Sequence, residues 1–436
     1  MKRLMFVLFG LFVGLAFFAN GVCAKTTIEL WHAMSGSRLK VLEKIVADFN
    51  TLHPDIEIKP VFTGTYEETL TKFIAAYRAG TAPHIVQVYE VGTQTMIDSG
   101  AIIPVYQIPE ILGETWDWGQ YILPIVLYYS VDGKLWSFPL NSSTSMLYYN
   151  KDHFRQAGLD PNKPPSTWDE VEEYGKKLIE AGVVKNVIAF GWPDWQFEQQ
   201  LALHNRLYAD NENGRAGLAT RVMWPDEFSL KLFETWTRLA QEGILIYAGV
   251  EYDPNAAFIN GAISMLLQST SSLDGILKTA KFEVGTSFLP RFPGEPMGNS
   301  VVGGATLWVR KGLTRDELRA VWEFLKYLSI TEVAIYWHKN TGYFPATNAA
   351  VKQLMDEGWF AKSPNHLTAF LQILIGRRDT GASLGVRLGP FVAIRDYIRQ
   401  AMEKAFSGVL SPAEALAEAA AKANAALEEY RMSIGK

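Results

Sequence analysis

The sequence predicts an α/β chain folded as two lobes joined by more than one crossing. Three observations carry that prediction. Strand and helix signals alternate from Thr26 to Tyr89, the pattern changes character from about Ser142 to Gln268, and glycines mark a late return at Gly303-Gly304-Ala305 and Thr341-Gly342-Tyr343. Length agrees, because 436 residues exceed what one simple core serves.

In chain order, Lys2 and Arg3 precede an apolar stretch from Leu4 to Phe18, which runs to Val22-Cys23-Ala24 before the polar Lys25-Thr26-Thr27. This reads as a secretory signal peptide, residues 1–24, cut after Ala24 and placing the protein in the periplasm. A membrane anchor needs about twenty apolar residues, and this stretch is shorter. Cys23 invites a lipid-attachment reading, but Asn20-Gly21-Val22 lacks the leucine and small residues of a lipobox. Thr26-Thr27-Ile28-Glu29-Leu30-Trp31 alternates as a strand, and Leu39, Leu42, Ile45, Val46 and Phe49 fall at helical spacing. Ile56 to Phe62 is a second strand. Leu70, Phe73, Ile74 and Tyr77 line a helix stopped by Gly80, and Ile85 to Val88 forms a third strand. Such alternation implies a parallel sheet with covering helices, whose strand C-termini host ligands. Trp31-His32, Thr63 to Glu67 and Tyr89-Glu90 occupy those ends.

Past Ser142, Asn150-Lys151-Asp152 leads into a helical pattern, Pro164-Pro165-Ser166-Thr167-Trp168-Asp169-Glu170 gives a turn and a capped helix start, and Val187 to Phe190 is a strand. Strand pattern returns at Thr306 to Val309. A capping box at Thr314-Arg315-Asp316-Glu317 then opens a helix, and Ser411-Pro412-Ala413-Glu414 caps an alanine-rich helix to about Tyr430. The expected division is 25–140 continued by about 290–343 for lobe 1, and 141–289 continued by about 344–436 for lobe 2.

Composition excludes several functions. The single cysteine lies in the signal segment, so disulfides, thiolate catalysis and cysteine-ligated metals fall away. The full chain carries 41 basic and 46 acidic residues; without Lys2 and Arg3 the count is 39 against 46, a formal charge of −7. No basic stretch speaks for nucleic acid. Gly381-Ala382-Ser383-Leu384-Gly385 matches a nucleophile elbow, which requires a preceding strand and a following helix. Its neighbours read as loop, so Ser383 as the nucleophile of a secreted esterase is the lesser alternative. The seven histidines are scattered, with no zinc-type pair, and no metal or cofactor is expected. Of the tyrosine doublets, Tyr148-Tyr149 sits in an apolar run and reads as a core strand rather than a metal-ion site.

Seven runs stand together in order and spacing: Tyr66-Glu67, Gln87-Val88-Tyr89-Glu90-Val91-Gly92-Thr93, Asn141-Ser142-Ser143-Thr144, Leu147-Tyr148-Tyr149-Asn150-Lys151, Gly303-Gly304-Ala305, Thr341-Gly342-Tyr343 and Arg387-Leu388-Gly389. With them the chain resembles the periplasmic sn-glycerol-3-phosphate-binding proteins of bacterial ABC importers, within the extracellular solute-binding proteins that also take up maltose and other sugars. The resemblance implies a two-lobed periplasmic binding protein fold of type II with a hinge between lobes, and a monomer that delivers its ligand to membrane permease subunits. It implies a ligand, sn-glycerol 3-phosphate or a glycerophosphodiester such as glycerophosphocholine, with receptors for neutral oligosaccharides as the alternative on the same fold. It places ligand contacts on Tyr66, Glu90, Ser143, Trp192, Trp195, Ser269, Gly304, Tyr343 and Arg395. Thr270 stands where the family tends to carry a second serine, and Pro193-Asp194 depart from the family pattern.

The residue types suit that ligand. A phosphate carries one to two negative charges and several acceptor oxygens, so a desolvated cleft must supply donors and positive charge. Arg395 is expected to offer a bidentate fork, with Ser143, Ser269, Tyr343 and the Gly304 amide completing the shell. Glu90 would be repelled by phosphate and is expected at the glycerol end. Tyr66, Trp192 and Trp195 would wall the carbon chain. Taken singly, each residue has a plain structural reading: Tyr66 as a helix start, Glu90 as a cap, the serines as loop hydrogen-bond partners, the tryptophans as core, Gly304 and Tyr343 as hinge, Arg395 as one half of a surface ion pair.

Overall fold

The computed structural model describes residues 25–435; the signal segment and Cys23 lie outside them. Strand β1 (Thr26–His32) buries Ile28 and Leu30 on one face, as its alternation requires, and helix α1 (Gly36–Leu52) covers it with Val41, Leu42, Ile45, Val46 and Phe49. Leu39 of the expected stripe is only partly buried, and Val41 takes its place in the core. Strand β2 (Ile56–Phe62) pairs in parallel along the whole of β1. Helix α2 (Tyr66–Ala79) starts at a Thr65/Glu68 capping box, worth about 1 kcal/mol, and ends where Gly80 turns left-handed. Strand β3 (Ile85–Tyr89) is buried at every position, because helices cover both faces of the sheet.

The first sheet takes two short insertions, β4 (Ile102–Ile103) and β5 (Phe138–Ser143), before the chain leaves it. It crosses at Thr144 into β6 (Ser145–Asn150). The second lobe then adds α3 (Trp168–Glu180), β7 (Ile188–Phe190), α4 (Pro193–Leu203), α5 (Glu227–Gln241), β8 (Leu245–Ile246), β9 (Met265–Ser269) and β10 (Val284–Ser287). Its five strands lie in the order β8-β7-β9-β6-β10, with Tyr148 and Tyr149 of β6 buried in the core. The chain returns as β11 (Gly303–Arg310), longer at both ends than the Thr306–Val309 expectation. Glycines supply no strand signal, yet Gly303 and Gly304 pair with Ser143 and Ser142. The first sheet therefore reads β2-β1-β3-β11-β4, with β5 on β11.

Helix α6 (Arg315–Leu328) opens at the predicted Thr314/Glu317 box and packs on β1, and α7 (Thr331–Thr341) packs on α1. Helix α8 (Pro364–Ile375) lies on β10, α9 (Phe391–Phe406) on α4 and α5, and α10 (Pro412–Ser433), capped by Ser411 and Glu414, on α9. The molecule is a two-lobed α/β fold with a large-lobe sheet of six strands and a second of five.

The crossings are tied to one another. Thr144 Oγ1 donates to the Val301 carbonyl (2.9 Å), the Gln199 side chain grips both the amide and the carbonyl of Val301, and the Phe344 amide donates to the Ser142 carbonyl (2.9 Å). Two glycines there are sterically fixed. Gly304 has φ +87, and a Cβ on it would sit 2.0 Å from the Asn141 carbonyl oxygen; Gly342 has φ +77, and its Cβ would sit 2.6 Å from the Thr270 carbonyl oxygen. Among the described residues no helix is long and apolar enough to cross a membrane.

Candidate ligand-binding cleft

Between the two sheets lies a cavity of about 330 Å³ lined by Tyr66, Tyr89, Glu90, Ser143, Trp192, Trp195, Tyr252, Ser269, Ser271, Gly303, Gly304, Tyr343 and Arg395. All nine residues singled out from the sequence stand on its wall. Each arrives by a local rule: Glu90 follows the C-terminal end of β3, Ser143 ends β5, Ser269 ends β9, Tyr66 begins α2, and Tyr343 follows the left-handed Gly342 that stops α7. Trp192 precedes Pro193 with a left-handed backbone, φ 54 and ψ 61, a conformation that costs a bulky residue free energy and recurs at functional sites.

One wall is built of hydroxyls. The Ala33 amide donates to Gln87 Oε1 (2.8 Å), Gln87 Nε2 donates to Asn141 Oδ1 (2.8 Å), and Asn141 Nδ2 donates to the Tyr66 hydroxyl (2.8 Å), which lies 3.3 Å from the Tyr343 hydroxyl. Because Asn141 already donates to Tyr66, the Tyr66 proton is left to point onward, and the chain ends as a polarised donor at the cavity. Tyr66 stacks on Tyr89 (5.4 Å, 4°) and Tyr343 on Trp337 (5.8 Å, 11°), which fixes both rings. Burial holds the Tyr66 and Tyr89 hydroxyls well above their ordinary pKa, so they remain protonated donors. Ser269 Oγ lies 2.9 Å from Ser271 Oγ, which lies 3.3 Å from the Tyr252 hydroxyl.

A second group on the cavity wall is charged. Arg395 is buried in α9; its Nη1 meets Glu90 Oε1 at 3.0 Å, its Nη2 bonds Glu198, and its Nε lies 3.8 Å from Asp194 Oδ2. One guanidinium thus faces three buried carboxylates. Desolvation pushes the Glu90 carboxyl up to about 7 against the opposing pull of Arg395, and desolvation likewise raises Asp194 and Glu198.

This arrangement differs from the expectation that Arg395 offers a free fork to phosphate. Its nitrogens are already turned to carboxylates, and a phosphate placed there would meet more negative than positive charge. Arg395 is also no surface ion-pair partner, since it and its partners are buried. Glu90 does not stand apart from it but pairs with it. Asp194, which departs from the family pattern, is one of its three partners.

Four lining residues and two charged groups stand outside the nine contacts expected from the sequence. Tyr89 sits beside Glu90 and Ser271 two residues beyond Ser269, so strand-end position was a usable signal for both. Gly303 lay within the glycine run. Tyr252, Glu198 and Arg38 gave none: Glu198 lies one helical turn from Asp194 within a helix buried throughout, and Arg38 in α1 reads as surface. Ser383 lies outside the cleft. It sits inside a short helix, Gly381–Leu384, whose cap is Thr380, rather than in a loop; its Oγ donates to the Thr380 carbonyl (2.9 Å), and its hydrogen-bond partners among the described residues include no histidine.

The family model for bacterial extracellular solute-binding proteins matches residues 44–368. The sn-glycerol-3-phosphate-binding periplasmic protein UgpB of Pectobacterium atrosepticum is 37% identical over 427 residues, 97% of this chain and 96% of that one. UgpB of Escherichia coli K12 is 36% identical over 438 residues, 99% of each chain. Among solved structures, UgpB from Mycobacterium tuberculosis in complex with glycerophosphocholine superposes with a TM-score of 0.77 at 20% identity, covering 93% of this chain and 99% of that one. Maltose-bound MalE3 of T. maritima superposes at 0.74 and 18% identity, covering 93% and 99%.

Proposed function

The chain belongs to the bacterial extracellular solute-binding protein family, and from that premise we propose how its cleft takes ligand. It is the periplasmic substrate-binding protein of an ABC importer; it captures sn-glycerol 3-phosphate or a glycerophosphodiester and delivers it to membrane permease subunits. Its relatives are binding proteins by name; that this chain catalyses no reaction is part of the proposal, and the Ser383 hydroxyl, engaged by Thr380, supports it.

The phosphate sits at the hydroxyl wall, held by Ser143, Ser269, Tyr66, Tyr343 and the Gly304 amide. The glycerol hydroxyls sit at the Glu90–Arg395 pair, which offers an acceptor and a donor side by side. Trp192 and Trp195 close over the carbon chain. The observation that carries this reading is the make-up of the cavity wall: neutral hydroxyls bond to one another in one group, and in another a guanidinium is outnumbered by carboxylates. Neutral donors accept an anion without the desolvation cost of a buried, already paired cation. The lobes, expected as 25–140 with about 290–343 and 141–289 with about 344–436, are hinged at the bonded crossings near Thr144, Val301 and Tyr343; β5 keeps 141–143 in the first sheet, and Arg291, Gly298 and Asn299 hydrogen-bond to second-lobe backbone, so two of the expected joins move to Thr144 and Val301. Closing them around the ligand completes its shell.

A thermal-shift panel tests the ligand class. Glycerol 3-phosphate and glycerophosphocholine raise the melting temperature, and inorganic phosphate and maltose leave it unchanged, since only a ligand of the folded state stabilises it by mass action. Stabilisation by maltose alone overturns the proposal in favour of a sugar receptor.

A further inference from the structure

Arg38 lies in the first turns of α1, on the lobe of the first sheet, and reaches across the cleft. Its guanidinium stands over the Tyr252 ring, 4.5 Å from the centroid, and its Nη1 lies 3.5 Å from Ser271 Oγ. Both partners belong to the second lobe, and both line the ligand cavity at its hydroxyl end. Among the described residues Arg38 makes no ion pair, whereas Arg395 has three carboxylates. The two arginines are therefore electrostatically unlike: one is neutralised, the other projects its field toward Ser271, Ser269, Tyr66 and Tyr343.

Arg38 also forms a partition. Two outer crevices adjoin the hydroxyl end, of about 720 and 840 Å³. The first shares Tyr66 and Tyr252 with the ligand cavity, the second shares Tyr252 and Ser271, and Arg38 lines both. A diester's alcohol must leave from the phosphate, so at this end its outlet lies where the Arg38–Tyr252 contact now stands. A phosphomonoester needs no outlet and brings up to two negative charges; a choline diester is a zwitterion whose ammonium would be driven against the guanidinium.

We propose that Arg38 is a specificity-determining residue of the cleft: its unpaired charge, latched onto Tyr252 and Ser271 behind the phosphate, selects the glycerol phosphomonoester over diesters of cationic alcohols. This rests on the ligand orientation proposed above, with the phosphate at the hydroxyl wall. Losing the side chain removes a facing charge and opens the outlet, which moves the two ligands in opposite directions.

The test is calorimetric titration of wild type, Arg38→Leu and Arg38→Lys with sn-glycerol 3-phosphate and with glycerophosphocholine, at one pH and low salt. Wild type binds the monoester more tightly. Arg38→Leu weakens the monoester about tenfold or more and leaves the choline diester unchanged or tighter, while Arg38→Lys keeps most of the monoester affinity. A ratio of the two affinities that is the same in Arg38→Leu as in wild type overturns the inference, whether both ligands are unaffected or both are weakened equally as a mere closure latch would do. Wild type preferring the diester overturns it too. Wild type binding neither glycerophosphate refutes the functional reading beneath it, a result the variants are not needed to see.

Discussion

Replacing Arg395 with methionine tests the charge cluster directly. The substitution keeps an apolar stem in α9 while withdrawing the cation that Glu90, Glu198 and Asp194 share. Breaking a buried pair by removing one partner typically costs about 3–5 kcal/mol, because the remaining charge is left unpaired in a low dielectric. Here three carboxylates lose one partner, so the cost at pH 8 lies at the upper end of that range, about 5 kcal/mol. For about 410 folded residues the unfolding entropy near the midpoint makes this about 6 °C in Tm. Its sign with pH follows from linkage. Burial already raises all three carboxyls in the presence of Arg395, with Glu90 at about 7. Without Arg395 they rise further, so the folded variant binds more protons than its unfolded chain. A raised folded pKa contributes stability that is complete below the unfolded value near 4.5 and is lost as pH climbs through the folded value. The deficit of the variant is therefore small at pH 5 and full at pH 8. Thermal melts of the ligand-free protein by circular dichroism, at those two pH values, read it out. Equal Tm for variant and wild type at pH 8, or a deficit independent of pH, would refute the view that this arginine is held by its carboxylates.

Three further outcomes follow from the same coordinates. In Glu90→Gln, the part of the wild-type loss of stability between pH 4.5 and 7 that belongs to Glu90, on the order of 3 kcal/mol for a group moved from 4.5 to about 7, is removed from chemical denaturation curves, and the affinity for the glycerol end falls. Gly304→Ala forces a Cβ to within 2.0 Å of the Asn141 carbonyl oxygen at φ +87; about 2 kcal/mol or more of stability and most ligand binding are lost in melts and titrations. Trp195→Phe removes an indole N–H that is buried without a protein partner, together with the benzo edge that stands against Gly303. Relief of the unpaired N–H offsets part of the packing lost at that edge, glycerol 3-phosphate binding in titrations weakens about fivefold, and unchanged binding would deny that N–H a ligand role.

Much of the fold was legible because its rules are local. The period-two alternation of Ile28 and Leu30, the Thr314 and Ser411 boxes and the stop at Gly80 act over at most four residues. The failures were of two kinds. Gly303 and Gly304 carry no strand propensity, so β11 was read short; its pairing with β5 overrides propensity. Arg395 was given the right place and the wrong company, because Glu198 and Glu90 come from segments remote in sequence.

The chain by itself determined most strands and helices of the first sheet and which residues stand at their ends, since backbone propensity, capping and periodicity are written within a few neighbouring positions. Only the tertiary structure decided how charge is distributed around the cleft. Arg38 and Arg395 are the same residue type on helices of similar length, yet packing surrounds one with three desolvated carboxylates and sets the other over an aromatic ring without an acidic partner. Electrostatic strength depends on through-space distance and on exclusion of water, and neither exists until the two lobes are folded against each other.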